Sequence, residues 1–233
     1  MSEIDVQRAY YADTAARYDD MHVAEGDEHY RALDWLSDLI RQHDIRSILD
    51  IGSGTGRGIL YLRERHAIRY VGIEPVAALR DQGHAKGLGP DELIDGDALN
   101  LAFADNSFDL VCEFGVLHHI KDHRRAVAEM CRVARKGVFL SDSNNFGQGA
   151  PLTRAIKQAI NALGLWRLAD LALTRGKGYH YSDGDGVFYS YSLFSDVPVL
   201  RGKFPALRLM NTMPSSGPNL YRQAPHLAVF AAR

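Results

Sequence analysis

The chain is short of cysteine: Cys112 and Cys131 are the only two in 233 residues. They fall in a predicted strand and a predicted helix, which speaks against a disulfide framework and for a cytoplasmic protein. No apolar run reaches membrane-spanning length. The opening M-S-E-I-D-V-Q-R lacks the basic and then apolar regions of a secretion signal. Charge of one sign is scarce too. Lys and Arg number 27 against 29 Asp and Glu, a formal net charge of −2. That gives no reason to expect a polyanionic partner, and without a basic stripe nucleic acid is not expected. There is no internal repeat, low-complexity tract or charge block. What is present, 46% hydrophobic and 24% charged residues, is the composition of one globular α/β domain with a good core.

The chain is organised around residues 47–58, S-I-L-D-I-G-S-G-T-G-R-G. A short β-prone stretch runs to Asp50 and into a turn with Gly52, Ser53, Gly54 and Gly56. The apolar residues Ile59, Leu60 and Leu62 then follow at helical spacing. Strand, glycine loop and helix N-terminus are the layout of a nucleotide site in a parallel sheet. Glycines let a ligand lie on bare backbone, and the first helical N–H groups are left to bind it. An ordinary βα turn would use glycines in the same way. The spacing, however, is G-x-G-x-G rather than the dinucleotide G-x-G-x-x-G, with Asp50 two residues ahead of Gly52. A carboxylate there repels a pyrophosphate and suits a ligand with a cationic amine. This counts against an NAD-linked oxidoreductase.

Here the sequence resembles the class I S-adenosylmethionine-dependent methyltransferases, whose first motif is D/E-x-G-x-G-x-G; Asp50 to Gly56 match every fixed position. The resemblance implies a Rossmann-like α/β fold with helices on both faces. Its seven strands are mostly parallel, with strand seven antiparallel between strands five and six. It also implies S-adenosylmethionine as cofactor and S-adenosylhomocysteine as product. A lid is implied at 1–27, where Y-x-x-x-A-x-x-Y-D places Tyr11, Arg17 and Tyr18 over the cofactor; a surface helix packing its tyrosines is the structural alternative.

Residues 69–73 read as the second strand and end in Glu74-Pro75. Glu74 lies 18 positions beyond Gly56, where nucleotide folds place the carboxylate that holds the ribose hydroxyls. After a third strand at 93–94, the resemblance sets Asp97 and Ala98 against the adenine, with Asp95 the alternative acid. The fourth strand, 108–114, opens into G-V-L-H-H-I, like the family's L-H-H-I loop. Glu113, Phe114 and Gly115 are expected along the methionine part of the cofactor. His118, His119 and His123 cluster in sequence, but adjacent histidines diverge and the spacing matches no common zinc pattern, so no metal is read. A histidine can instead serve as a general base. The resemblance favours His119 as that base and His118 as a cofactor-side contact, with a packing or capping pair as the structural alternative.

The fifth strand, 138–140, ends in S-D-S-N-N. Asn144 and Asp142 are read as hydrogen-bonding the substrate; the alternative is an imitation of the Asp-Asn pair of some metal-assisted O-methyltransferases, whose other metal acid is not clearly matched here. Residues 146–203 then form an unusually long connection with helices at 152–163 and 165–174, read as a substrate cap; the alternative is that they simply cover the sheet. Its stretch from Gly176 to Tyr191 mixes glycine, aromatic and polar residues, a mixture suited to a polar ring-shaped substrate. Tyr179, Tyr181, Tyr189 and Tyr191 are candidate substrate contacts, and His180 is a second candidate base. The run Asp183-Gly184-Asp185-Gly186 resembles a fragment of a calcium loop without its remaining ligands. The expectation is O-methylation of a small polar hydroxyl compound or a sugar residue of a glycan. N-methylation of a small amine and a non-catalytic cofactor-binding protein are the alternatives, and a homodimer is left open.

Overall fold

The computed structural model describes residues 3–22, 27–214 and 217–233. Residues 1, 2 and 23–26 of the expected lid segment lie outside the described residues. The chain opens with α1 (Glu3–Thr14), a 3-10 turn and α2 (Tyr18–His22), where a single helix over 5–20 was expected. Next come α3 (Glu28–Gln42), β1 (Ser47–Ile51), α4 (Arg57–Arg63), β2 (Arg69–Ile73), α5 (Ala77–Ala85), β3 (Leu93–Ile94), β4 (Phe108–Phe114), α6 (His123–Val133) and β5 (Ala134–Ser143). The inserted stretch carries α7 (Pro151–Ala162), α8 (Trp166–Leu173), β6 (His180–Ser182), β7 (Gly186–Phe188) and α9 (Val197–Lys203). The chain then returns through β8 (Ala206–Asn211), α10 (Leu220–Gln223) and β9 (His226–Ala232).

The sheet order is β3-β2-β1-β4-β5-β9-β8. The pairs from β3 to β5 are parallel, and β9 runs antiparallel between β5 and β8. This is the expected topology. Alternation along the strands builds a core on each face. Leu49, Val111, Val138 and Val229 point to the face covered by α6 and α9. Their neighbours Ile48, Leu110, Phe139 and Phe230 point to the face covered by α3 and α4. Asp27 caps α3 by accepting from His29 N and Tyr30 N, both at 2.9 Å, and its Leu33, Leu36, Leu39 and Ile40 are buried. Every strand of the parallel half ends at one edge, where the glycine loop, Glu74, the histidine loop and residues 142–145 meet.

The insertion departs from expectation in two ways. It contains a two-stranded antiparallel hairpin, β6–β7, where only a loop was read. And α7, read as covering the sheet or a substrate, has no buried residue: its apolar side chains Leu152 and Ile156, and Leu163 just past its end, are exposed.

Candidate active site

The glycine loop leaves β1 as foreseen. Gly56 has φ +81°, and a Cβ there would lie 2.1 Å from Leu88 Cδ1. Gly54 has φ +56°, and a Cβ there would lie 3.0 Å from the Tyr18 hydroxyl. Both positions therefore require glycine. Tyr18 rests on the loop while Val76 and Leu79 pack around it and Tyr11. The N-terminal segment thus packs against the glycine loop through Tyr18.

Four buried acids brace this edge from inside. Asp50 is 4% exposed, and burial pushes its carboxyl up to about 6. Glu74 accepts from Gly54 N at 3.1 Å and Val76 N at 2.9 Å; burial raises it to about 7 against those two bonds. Glu113 is fully buried and accepts from Val116 N at 3.0 Å and Ser141 N at 2.9 Å. Burial, with the Asp142 charge next to it, raises it well above the usual carboxylate range. The expectation that Glu113 lines the cofactor is corrected: its side chain is fully buried, walls neither cavity, and ties β4's exit to β5. Asp142, also fully buried, accepts from Leu117 N at 2.8 Å and His118 N at 3.2 Å, and pairs with His118 Nδ1 at 2.7 Å.

The two adjacent histidines take opposite charge states. His118 lies between Asp142 and Asp185, whose Oδ2 is 3.4 Å from Nε2. Burial alone would lower it, but the two carboxylates outweigh that and hold it protonated up to about 10. Asp142 falls to about 2 in return, because the imidazolium outweighs its own burial. His119 goes the other way: burial, then the charge of His118, lowers it below its ordinary value. Its Nδ1 lies 2.6 Å from Val187 O. A carbonyl can only accept, so Nδ1 carries the proton and Nε2 keeps the lone pair. That lone pair faces Tyr11 Oη at 3.0 Å, with Asp185 Oδ1 3.4 Å away.

Residue 7 ties this arrangement to the N-terminal helix, which the sequence did not reveal. Gln7 Oε1 accepts from Val187 N, and its Nε2 donates to Asp185 O at 3.1 Å. Tyr10 Oη donates to Asp183 O at 2.9 Å. Asp185 was likewise missed as a site residue. Its signal was the D-G-D-G run, set aside as an incomplete calcium loop; here it orients two histidines.

A cavity of about 690 Å³ opens beside these groups, walled by Tyr11, Tyr18, Arg57, Phe114, Gly115 and both histidines on one side. Trp166, Asp170, His180, Phe188, Tyr189 and Ser190 wall the other. A smaller pocket of about 30 Å³ lies beneath the loop against Asp50, Gly52, Ser53, Arg57 and Phe114. Arg57 reaches Asp27 at 3.0 Å, another pair that only folding brings together.

Several expected substrate contacts are corrected. Asn144 is fully buried; its Nδ2 donates to Tyr221 O and Ala224 O, both at 2.9 Å, and its Oδ1 accepts from Ser192 Oγ at 2.8 Å. It locks β5 to α10 and does not reach a substrate. Tyr191 borders the cavity, but its hydroxyl donates to Asp196 at 2.8 Å inside the core. Tyr181 is 54% exposed and packs edge-on against Tyr10, away from the cavity. Tyr179 lies under Lys177 and is not a wall residue. Arg17 is exposed and does not line the cavity. Tyr189 does line it. His180 also lines it, stacked on Phe188 and bonded to Asp170 Oδ1 at 3.0 Å. Of the other residues expected at the cofactor, Asp97 is exposed and accepts from Leu99 N at 2.9 Å, with Ala98 half-buried next to it and Pro75 exposed after β2. Asp95 pairs with Arg80 at 2.9 Å. The sequence read no metal. Two groups nevertheless bring potential ligand atoms within 4.8 Å of one another: Glu28, His29 and His226, and His118, His119 and Asp185.

A seven-stranded sheet of this order, with an acid-led glycine loop at the end of β1, defines the class I S-adenosylmethionine-dependent methyltransferases. Residues 49–141 match the family described as a methyltransferase domain, which supports that class for this chain. Norajmaline N-methyltransferase of Rauvolfia serpentina is 36% identical over 97 residues, 40% of this chain and 33% of that protein. Phosphatidylethanolamine N-methyltransferase of Cereibacter sphaeroides is 32% identical over 135 residues, 55% of this chain and 66% of that one. The match thus spans one third to two thirds of these relatives' length. Magnesium protoporphyrin IX methyltransferase of Synechocystis PCC 6803, solved with bound S-adenosylhomocysteine, covers 100% of both chains with a TM-score of 0.63 at 14% identity. That likeness shows the fold alone. Among the described residues no helix is long and apolar enough to cross a membrane.

Proposed function

We propose that this chain transfers a methyl group from S-adenosylmethionine to a hydroxyl acceptor held in the 690 Å³ cavity. The observation that carries the reading is His119 in the cavity wall, its Nδ1 held by Val187 O at 2.6 Å and its Nε2 facing the Tyr11 hydroxyl at 3.0 Å. The residues of the β1 edge fit the cofactor. Glu74 has lone pairs left for two ribose hydroxyls, Asp50 suits the ammonium, and the bare loop from Gly52 to Gly56 admits close approach. Tyr18 covers Gly54 and moves aside as the cofactor seats. Bound S-adenosylmethionine supplies an electrophilic methyl group.

His119 does the proton work. An acceptor hydroxyl replacing the Tyr11 phenol donates to Nε2, and the histidine takes that proton as the oxygen attacks. His118 stays protonated and gives up nothing; it holds Asp185 in place. Burial keeps the Tyr11 phenol neutral, its pKa well above the ordinary value. Closing Tyr11 and Tyr18 over the site excludes water and brings the reacting atoms together.

A small polar hydroxyl compound or a sugar residue is the acceptor class that the aromatic and polar wall favours. The relatives' names favour a second reading, N-methylation of an amine. Calorimetry with S-adenosylmethionine and S-adenosylhomocysteine, alongside Asp50→Ala and Glu74→Ala, tests the cofactor site: micromolar binding is expected and is lost in both variants. A panel of sugars, phenols and amines then tests the acceptor. Full turnover of an amine by His119→Ala would replace the hydroxyl reading with the second one.

A further inference from the structure

Helix α7 is built inside out. Its polar stripe faces the protein: Lys157 reaches Asn145 O, Gln158 Nε2 donates to Phe146 O at 2.8 Å, and Asn161 Nδ2 donates to Tyr221 Oη at 2.9 Å. Its apolar stripe faces water: Leu152 and Leu163 are each 73% exposed, and Ile156 lies between them. Leu165, just ahead of α8, and that helix's Leu168, Leu171 and Leu173 continue the face. Seven of the ten exposed large apolar side chains among the described residues lie on this hairpin. A patch of that kind marks an interaction site.

The charge around it names the partner. Residues 151–178 hold five Lys and Arg and one Asp, in a chain whose formal net charge is −2. The one acid, Asp170, is bonded to His180. Arg167, Arg175 and Lys177 are exposed, and neither arginine has an ion-pair partner among the described residues. Leucines on a hairpin that carries five cations and one bonded acid fit an anionic lipid surface, where the apolar face enters the interface and the cations meet headgroups. A second copy docked through the same patch would set these cations against its own.

We infer that the α7–α8 hairpin seats this protein on an anionic membrane surface. The same helices wall the cavity through Lys157, Trp166 and Leu173, so docking sets the cavity at the lipid headgroups. The inference needs no methyl transfer and stands or falls apart from it.

Co-sedimentation of the full chain with vesicles tests it. Phosphatidylcholine vesicles with about one third phosphatidylglycerol are expected to capture the protein. Capture falls at least about tenfold on phosphatidylcholine alone or in half-molar salt. The double variant Leu163→Glu, Leu168→Glu, whose residues lie outside the cavity, loses vesicle binding while keeping calorimetric binding of S-adenosylhomocysteine. Arg167→Glu with Arg175→Glu loses the preference for anionic vesicles. No capture on either vesicle overturns the inference, as does capture that the leucine variant leaves unchanged. A dimer in sedimentation equilibrium that the leucine variant disperses, without vesicle binding by the intact chain, would assign the face to a second copy.

Discussion

The β1–β5 edge and the α7–α8 hairpin use polar and apolar groups in opposite senses. At the edge, Asp50, Glu74, Glu113 and Asp142 are buried acids, most of them accepting from backbone N–H groups of the loops they shape. On the hairpin, leucines stand in water while lysine, glutamine and asparagine turn inward. The first arrangement keeps a rigid frame in which two neighbouring histidines hold different protons. The second leaves a surface that is complete only against something else. The same rule, that buried polar groups must be bonded, organises both regions.

The predictions break or sharpen that contrast. The largest effect belongs to the base: His119→Ala lowers hydroxyl methylation by about 10²–10⁴-fold, with S-adenosylhomocysteine affinity unchanged in calorimetry. Next is the frame. His118→Ala leaves Asp142 buried without its cation, a loss of about 3–5 kcal/mol in urea unfolding. The intact pair has a defined pH window. His118 is raised from 6.5 to about 10, so its stabilisation is full below 6.5 and lost as pH rises through about 10. Asp142 is lowered from 3.8 to about 2, so its stabilisation is full above 3.8 and lost as pH falls through about 2. The variant should show neither edge.

Gly56→Ala has a smaller effect: a left-handed φ costs a non-glycine residue about 1–2 kcal/mol, and Leu88 must shift as well. Thermal unfolding reads it. The cofactor acids give a pH test of similar size. Asp50, raised to about 6, and Glu74, raised to about 7, are carboxylates only at higher pH. S-adenosylhomocysteine affinity therefore falls at least about tenfold from pH 8 to pH 5, one pH unit below the lower value. Without ligand the sign reverses. Acids whose folded pKa is raised destabilise as pH rises from the unfolded values through about 6 to 7. Least of all, Leu163→Glu on the hairpin changes unfolding free energy by no more than about 0.5 kcal/mol. A larger loss would mean the leucine is packed after all, and the contrast between the two regions would fail.

The strands of the parallel half and the glycine loop were readable from the sequence because they rest on local signals, short β-prone runs and a turn whose φ values favour glycine; the order of the sheet followed from the resemblance to the methyltransferases. Asp50 and Gly52 line the small pocket under the loop, and His119 lines the larger cavity. Residue type alone did not show where a side chain's hydrogen bonds are spent. Glu113 and Asn144 read as site residues because both emerge at the carboxyl edge, but each closes on buried backbone groups that only the folded chain supplies. Gln7 and Asp185 read as nothing in particular, since their partners lie 180 and about 66 positions away in the chain. The helix at α7 was legible, the direction of its apolar face was not. Periodicity defines a face, and only the neighbours decide whether that face meets protein, water or lipid.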